Sequence, residues 1–250
     1  MRIIDSHLHI GNLSDTELVT PEQVKEDLAR FGVTGGLVMP FAMRGGGDNW
    51  EVHEQLYRTA LDAGFDIALY VNTDMLQLSD DLSLYHHFPF NALKIHPDAI
   101  TFSYYDIHRI CEIALTLKLP LMIHTGADDC CRSGRFEPFV KQYPKLTFVL
   151  CHARPAEEAF QMMKRFENVW IDTAFLSFGD LKSNLTPEIE DRILFGTDFP
   201  ANRWFPHLGD EARWYKGQIT NIKNTFSLKF ASKILSENYQ KLYKTKIIHL

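Results

Sequence analysis

The chain has 250 residues, of which 45% are hydrophobic, and its formal net charge at pH 7 is -6. This length and apolar content suit one large core, so we expect residues 1–250 to form a single domain. The acidic balance offers no broad basic field for a phosphate backbone, and no apolar run reaches membrane-spanning length. We therefore expect neither nucleic acid nor a membrane as a partner. Four cysteines without C-x-x-C spacing, and a start without a signal-peptide pattern, favour a reduced, cytoplasmic protein.

Eight short apolar segments follow one another along the chain and predict buried strands. They end near His9, Pro40, Asn72, His96, His124, His152, Asp172 and Asp198. Between most of them, apolar residues recur at three- or four-residue spacing, as in amphipathic helices, over residues 21–31, 49–64, 104–117, 134–144 and 155–168. The alternation predicts an α/β fold with a parallel sheet, and eight units fit a closed (β/α)8 TIM barrel.

An open, doubly wound sheet would share most of these local signals. No G-x-G-x-x-G pattern follows the first strand, which disfavours that fold. Residues from about 204 to 250 continue as helical patterns without another strand pair. We expect this segment to form a helical cap on the barrel.

Side chains that bind divalent metals well stand at the ends of several predicted strands. His7 and His9 are two residues apart on the first strand and therefore face the same way. His124 and His152 end later strands, and we expect their neighbours Ile123 and Cys151 to point outward. Asp198 ends the last strand, which lies beside the first in a closed barrel. The ordered set predicts one metal site at the barrel mouth. Taken alone, His124 or His152 is more typical of a hydrogen-bonded core residue, and an isolated H-x-H is equally compatible with two polar residues at a strand end.

These motifs resemble the amidohydrolase superfamily, and within it the amidohydrolase-2 group that includes aminocarboxymuconate semialdehyde decarboxylase. The resemblance covers nearly the whole barrel, from H-x-H at His7 and His9 to "GTDFP" at Asp198 and the closing "ILSENYQKLY". It implies that His7, His9, His124 and Asp198 hold the metal. It also implies that His152 orients or protonates the substrate or binds a second ion. Nitrogen-rich ligands favour Zn²⁺, while the carboxylate also admits Mn²⁺, Co²⁺ or Fe²⁺.

The fourth predicted strand carries Lys94 and His96 on one face. Lys94 resembles the strand-four lysine of dihydroorotases, which is carboxylated and bridges two metals. That resemblance implies a second ion, with His152 among its ligands. The alternative is a lysine paired with Asp198 or with substrate, and we favour one ion. His96 is compatible with a substrate contact, with support of a metal ligand and with a solvated loop position.

The expected chemistry is hydrolysis of a C–N or C–O bond in a small amide, lactone or ester. A divalent ion makes bound water more acidic, Asp198 would accept the proton and pass it to the leaving group, and His152 would polarise the scissile carbonyl. Non-oxidative decarboxylation is the main alternative, because it uses the same ligands. A metal-binding barrel without turnover is the second. A homo-oligomer is compatible with each of these functions.

Arginines in strand-end loops bear on the charge of the substrate. Arg44, Arg154 and Arg203 follow the second, sixth and eighth predicted strands. Arg154 lies two residues beyond His152 and is the best candidate to bind a substrate carboxylate, with Arg44 and Lys94 as further substrate contacts. Surface solvation explains each arginine taken singly.

Overall fold

The computed structural model describes residues 1–41, 50–72 and 86–243. Its strands are β1 (Ile4–Ser14), β2 (Glu17–Val19), β3 (Gly35–Pro40), β4 (Asp66–Tyr70), β5 (Ala92–Ile95), β6 (Leu121–His124), β7 (Phe148–Cys151), β8 (Val169–Asp172) and β9 (Ile193–Leu194). Its α-helices are α1 (Pro21–Phe31), α2 (Trp50–Asp62), α3 (Tyr104–Leu117), α4 (Glu137–Gln142), α5 (Ala156–Arg165), α6 (Phe178–Asn184), α7 (Glu211–Thr225), α8 (Leu228–Ser232) and α9 (Asn238–Tyr243). A π-helical turn, Lys233–Glu237, joins the last two helices. The strands at all eight predicted positions are present.

The strands form one sheet in the order β2-β1-β3-β4-β5-β6-β7-β8-β9. Every pairing from β1 to β9 is parallel, whereas β2 pairs with the end of β1 in antiparallel fashion. The chain just beyond β9 also hydrogen-bonds to β1. The Ser6 N–H donates to the Phe195 carbonyl, the Asp198 N–H to the His7 carbonyl and the His9 N–H to the Phe199 carbonyl, each at 2.8 Å. The sheet therefore curls until its first and last parallel strands meet.

Local sequence accounts for the limits of the first long helices. Thr20 and Gln23 form a capping box that begins α1, and Ser103 and Asp106 form another at the start of α3. Gly32 ends α1 in the left-handed conformation at φ 79°. These caps satisfy the exposed backbone groups and hold each helix in register over the sheet.

Buried apolar residues lie on both faces of the curled sheet. One large cluster lies between the strands and the helices. A smaller one includes the residues at alternate strand positions that face the inside of the curl, among them Leu37, Met122 and Val149. Tyr239 of α9 enters the inner cluster, and its hydroxyl donates to Asp66 Oδ2 at 2.7 Å. Asp66 begins β4, so α9 packs against the amino ends of the strands.

Cys151 belongs to the inner cluster, so the expectation that it points outward was wrong. The reason is a change of backbone direction directly after β7. His152 and Ala153 have φ values of 69° and 50°, in the left-handed region. The alternation of a strand does not continue through such a turn, and Cys151 and His152 therefore both face the interior.

In the described part of the chain, no helix is long and apolar enough to cross a membrane. All four cysteines lie in that part, and none forms a disulfide.

Candidate metal centre

Three potential metal ligands converge where the first and last parallel strands meet. Their ligand atoms, from His7, His9 and Asp198, all lie within 4.8 Å of one another. The two Nε2 atoms are 3.2 Å apart, and Asp198 Oδ1 lies 3.3 Å from His7 Nε2 and 2.8 Å from His9 Nε2. Asp198 has a φ of 64°, a left-handed conformation that a non-glycine residue seldom adopts. The turn at Asp198 brings the carboxylate back over β1.

Hydrogen bonds fix which nitrogen of each histidine faces this point. His7 Nδ1 lies 2.9 Å from Asp172 Oδ2, and His9 Nδ1 lies 3.3 Å from the carbonyl of Pro40. Both partners are acceptors, so each Nδ1 carries a proton and donates it. The Nε2 atoms are left to face each other and Asp198. A carboxylate or carbonyl behind a ligating imidazole is the usual support of a metal site.

The spacing of these donors fits a divalent ion. Ligands at ~2.0–2.1 Å from a tetrahedral ion are about 3.4 Å apart, close to two of the three separations observed here. Three protein ligands with remaining positions left for water or substrate are typical of catalytic rather than structural zinc sites. Two imidazoles and one carboxylate also admit manganese, cobalt or iron.

The electrostatics of the cluster match its donor chemistry. Burial opposes the ionised form of Asp198, but the charge of His7 and the hydrogen bond from His9 outweigh it and hold the pKa of this carboxyl below its ordinary value. For His7, burial and Lys94 lower the pKa, whereas Asp172, Cys151 and Asp198 raise it more, to about 10. Burial lowers the pKa of His9. Without an ion, a proton on His7 therefore provides the positive charge that the surrounding carboxylates require.

Lys94 lies at the inner side of the same cluster. Its side chain is 1% exposed, and its Nζ is 3.4 Å from His7 Nε2. Lys94, on the fourth predicted strand, therefore lies next to one of the candidate metal ligands, His7.

His124 and His152 form a second group beside the three ligands. His152 Nδ1 lies 3.2 Å from the Ala174 carbonyl and therefore carries a proton, and His152 Nε2 lies 3.0 Å from His124 Nδ1. Burial lowers the pKa of both imidazoles, so both are neutral. The His152 ring is 5.0 Å from that of His7, which joins this group to the first.

His96 stacks on His124 with ring centroids 3.7 Å apart. The potential ligand atoms of His96, Asp98 and His124 all lie within 4.8 Å of one another, as a group separate from that of His7, His9 and Asp198. Burial, together with Lys94 and His9, lowers the pKa of His96 to about 3. His124 thus contacts both His152 and His96, and its role as a fourth metal ligand is a proposal.

Two buried aspartates support the site and were not among the candidate residues. Asp172 accepts from His7 Nδ1 through one oxygen and from the backbone N–H groups of His152 and Ala174 through the other, at 2.9 and 3.0 Å. It thereby couples the first histidine to the turn that carries His152. Its signal in the sequence was its position at the end of a predicted strand, like that of the assigned ligands.

Asp5 holds the backbone on both sides of the ligands. It accepts from the His7 and Thr197 N–H groups, from the Thr197 hydroxyl at 2.6 Å and from the Tyr215 hydroxyl at 2.5 Å. Burial raises its pKa to about 6 despite these donors. Asp5 precedes the H-x-H motif by two residues, but its partners Thr197 and Tyr215 are 192 and 210 positions away, so the network could not be predicted from the sequence.

The arginines differ in their surroundings. Arg203 is held by Glu17, Glu211 and Asp27 at 2.7, 3.0 and 3.5 Å, and is therefore committed to an ion-pair network. The Arg154 guanidinium lies 5.9 Å from the centroid of the Phe175 ring. Across residues 1–41, 50–72 and 86–243, it has no ion pair. Arg44 lies outside the described residues.

Residues 20–245 match the sequence model of the amidohydrolase family. The chain therefore belongs to the amidohydrolases. No curated protein matches it.

Several solved structures share the fold at low sequence identity. A probable 2-pyrone-4,6-dicarboxylic acid hydrolase from Acinetobacter baumannii, solved with citric acid bound, superposes with a TM-score of 0.70 at 13% identity, covering 98% of this chain and 100% of that one. An amidohydrolase 2 from Bifidobacterium longum subsp. infantis gives 0.67 at 14% identity, with coverages of 98% and 99%. A dihydroorotase from Campylobacter jejuni gives 0.59 at 18% identity, with coverages of 98% and 84%. At these identities the likeness shows the fold alone.

Proposed function

We propose that this protein is a metal-dependent hydrolase that cleaves a C–N or C–O bond in a small carboxylated amide, lactone or ester. The observation that carries the proposal is the convergence of His7 Nε2, His9 Nε2 and Asp198 Oδ1 within 3.3 Å of each other. Membership of the amidohydrolases, together with the probable 2-pyrone-4,6-dicarboxylic acid hydrolase and the dihydroorotase among the structural neighbours, supports the same reaction class. The proposed unit is one (β/α)8 barrel over residues 1–250, with a helical cap from about residue 204.

His7, His9 and Asp198 would hold one divalent ion, with His124 as a further ligand. A Zn²⁺ ion there would act as a Lewis acid, polarising a substrate oxygen and making a water molecule more acidic. His124 Nδ1 lies 3.0 Å from His152 Nε2, so the His124 ring would have to turn away from His152 to join the ligands. We favour one ion and treat carboxylation of Lys94 as the requirement for a second.

Asp198 is the proposed proton carrier. Its pKa is held below the ordinary value, and its side chain is 15% exposed, so the carboxylate is ionised and open to the pocket. It can accept a proton from the attacking water and donate it to the departing nitrogen or oxygen.

His152 and Lys94 are the proposed partners of developing negative charge. His152 is neutral and donates through Nδ1 to Ala174, so it must carry a proton at Nε2 during turnover to polarise a carbonyl. Lys94 lies deep in the same pocket, where a cation stabilises an oxyanion strongly because water is excluded. Either group acts only on a substrate seated between the two histidine clusters.

Arg154 is the proposed binding group for the substrate carboxylate. Arg154 follows His152 by two residues, and its positive charge contributes to lowering the pKa of that imidazole, which supports the proposed role. Among the described residues, the Arg154 guanidinium lies over the Phe175 ring and forms no ion pair with an acidic side chain. Arg44 is proposed as a second contact of this kind.

The test is a panel of small esters, lactones and amides, each paired with a neutral analogue, assayed on metal-loaded protein with parallel detection of carbon dioxide. An Arg154→Gln variant should raise KM about 10- to 100-fold for carboxylated substrates only, since a hydrogen bond to a charged group contributes ~1.5–3 kcal/mol. Arg165→Gln is the matched control, because Arg165 pairs with Glu137 at an exposed site. Carbon dioxide release without hydrolysis would instead establish a decarboxylase. Metal binding with neither product would indicate a barrel that binds without turnover.

A further inference from the structure

Two adjacent cysteines, Cys130 and Cys131, lie in the loop that follows β6 and take no part in the proposed reaction. The loop folds back on itself, because the Cys131 N–H donates to the Asp128 carbonyl and the Gly126 N–H donates to the Cys131 carbonyl, both at 3.0 Å. These two bonds return the chain to the end of the strand that carries His124. The cysteines are therefore held by backbone hydrogen bonds at a fixed place beside the pocket.

The two thiols belong to neighbouring residues and differ in exposure. Cys130 is half-buried, whereas Cys131 is 1% exposed. The Cys131 thiol donates to the Asp128 carbonyl, with Sγ 3.5 Å from the oxygen. Burial and the neighbouring Cys130 raise the pKa of Cys131 to about 12, so this thiol keeps its proton at neutral pH. Two reduced sulfur atoms thus stand side by side, one of them reachable from solvent.

Gly126 shows how near the two cysteines are to His124, the residue that ends β6. A Cβ built on Gly126 would lie 2.7 Å from Cys131 Sγ and 3.8 Å from His124 Nε2. The sulfur and the imidazole thus both border the space that a side chain at position 126 would fill, and they fit there because glycine has none. Anything held by the two sulfur atoms would border the pocket.

We propose that Cys130 and Cys131 form a chelating dithiol that captures trivalent arsenic at the rim of the metal pocket. Soft sulfur ligands prefer soft, thiophilic centres, and two ligands on adjacent residues bind one centre with a high effective concentration. With an arsenoxide, each S–H bond is replaced by an S–As bond. The two thiol protons leave with the arsenoxide oxygen as water, and no atom changes its oxidation state. The site uses none of the proposed metal ligands and does not depend on the proposed hydrolysis.

The test uses phenylarsine oxide on the metal-loaded full chain, with intact mass spectrometry. We expect one adduct per chain, stable to excess 2-mercaptoethanol and removed by 2,3-dimercaptopropanol, because only a dithiol competes with a chelate. Cys130→Ser and Cys131→Ser should each weaken binding about 100-fold or more, the usual gain from a second linked contact. Cys111→Ala, which removes a buried thiol of the core on α3, should leave binding unchanged.

Three outcomes would overturn the proposal. They are the absence of an adduct in the unmodified chain, removal of the adduct by 2-mercaptoethanol, and undiminished affinity in Cys130→Ser. The Cys130 variant keeps the test valid if Cys131→Ser fails to fold, since Cys130 is only half-buried in a surface turn. Circular dichroism of each variant identifies such a failure.

Discussion

Replacement of Asp172 by asparagine tests how the first ligand is held. The carboxylate uses one oxygen for His7 Nδ1, at 2.9 Å, and the other for the N–H groups of His152 and Ala174. Asparagine keeps an acceptor for the two backbone groups but turns an amide donor towards His7. With an ion on Nε2, the remaining His7 proton would lie on Nδ1 and would face the amide N–H of the asparagine instead of a carboxylate. The metal-bound form would therefore lose a hydrogen bond and gain an unfavourable contact between two donors.

The size of the effect follows from the support that such carboxylates give. Loss of a hydrogen-bonded carboxylate behind a ligating histidine lowers metal affinity about 10- to 100-fold, or ~1.4–2.7 kcal/mol. Asp172→Asn should show this loss with little change in folding, because both backbone donors keep their acceptor. Asp172→Ala should also lower stability, by about 1–3 kcal/mol for each buried N–H group left without a partner.

The assay is competition between the protein and a chromophoric chelator for Zn²⁺, in the unmodified chain and in the variants. Asp66→Asn is the matched control. Asp66 also lies on a strand and accepts a hydrogen bond, from the Tyr239 hydroxyl, but it lies at the amino end of β4. We expect its zinc affinity to equal that of the unmodified chain. An Asp172→Asn protein that folds and binds zinc within twofold of the unmodified affinity would refute the reasoning.

Three further predictions follow from the same residues. Because the pKa of His7 is raised to about 10 in the metal-free protein, an ion must displace its proton at neutral pH. Zinc affinity should therefore rise with pH between pH 6 and 9, and calorimetry in buffers of different ionisation enthalpy should show proton release. Asp5 has its pKa raised to about 6, so its ionisation lowers stability as pH rises from 4 to 7. Tyr215→Phe removes a donor to the ionised form, and urea unfolding should show a loss of ~1–3 kcal/mol at pH 8 and a smaller loss at pH 5. Gly196→Ala would place a Cβ 3.0 Å from the Cβ atoms of both Asp172 and His7, and should lower the zinc affinity and the melting temperature together.

The strands and the first ligand cluster could be predicted because both depend on local patterns. Apolar runs ending in polar residues locate β1 and β3–β9, and two-residue spacing places His7 and His9 on one face. The sequence also places Asp198 beside them, because the last strand of a closed sheet lies next to the first. The three-residue strand β2 was missed, since so short a segment has no periodicity to detect.

The parts that could not be predicted depend on turns and on contacts distant in the sequence. Cys151 faces inward like Val149, two residues before it on β7. His152 also enters the pocket because φ turns positive directly after β7, and the alternation of side chains along a strand cannot predict such a turn. Asp172 contacts His7 across 165 positions of sequence, and Asp5 contacts Tyr215 across 210. Pairings of this kind are visible only once the sheet has brought the strand ends together.

The most direct test of the proposed metal centre is the metal content of tag-free protein purified without chelator, compared among the unmodified chain, Asp198→Ala and Lys94→Ala. We predict about one ion per unmodified chain, lost in Asp198→Ala and retained in Lys94→Ala, as measured by mass spectrometry of the metals. Two ions that both depend on Lys94 would contradict the single-ion assignment. No ion in the unmodified chain, or an ion retained in Asp198→Ala, would contradict the metal centre itself.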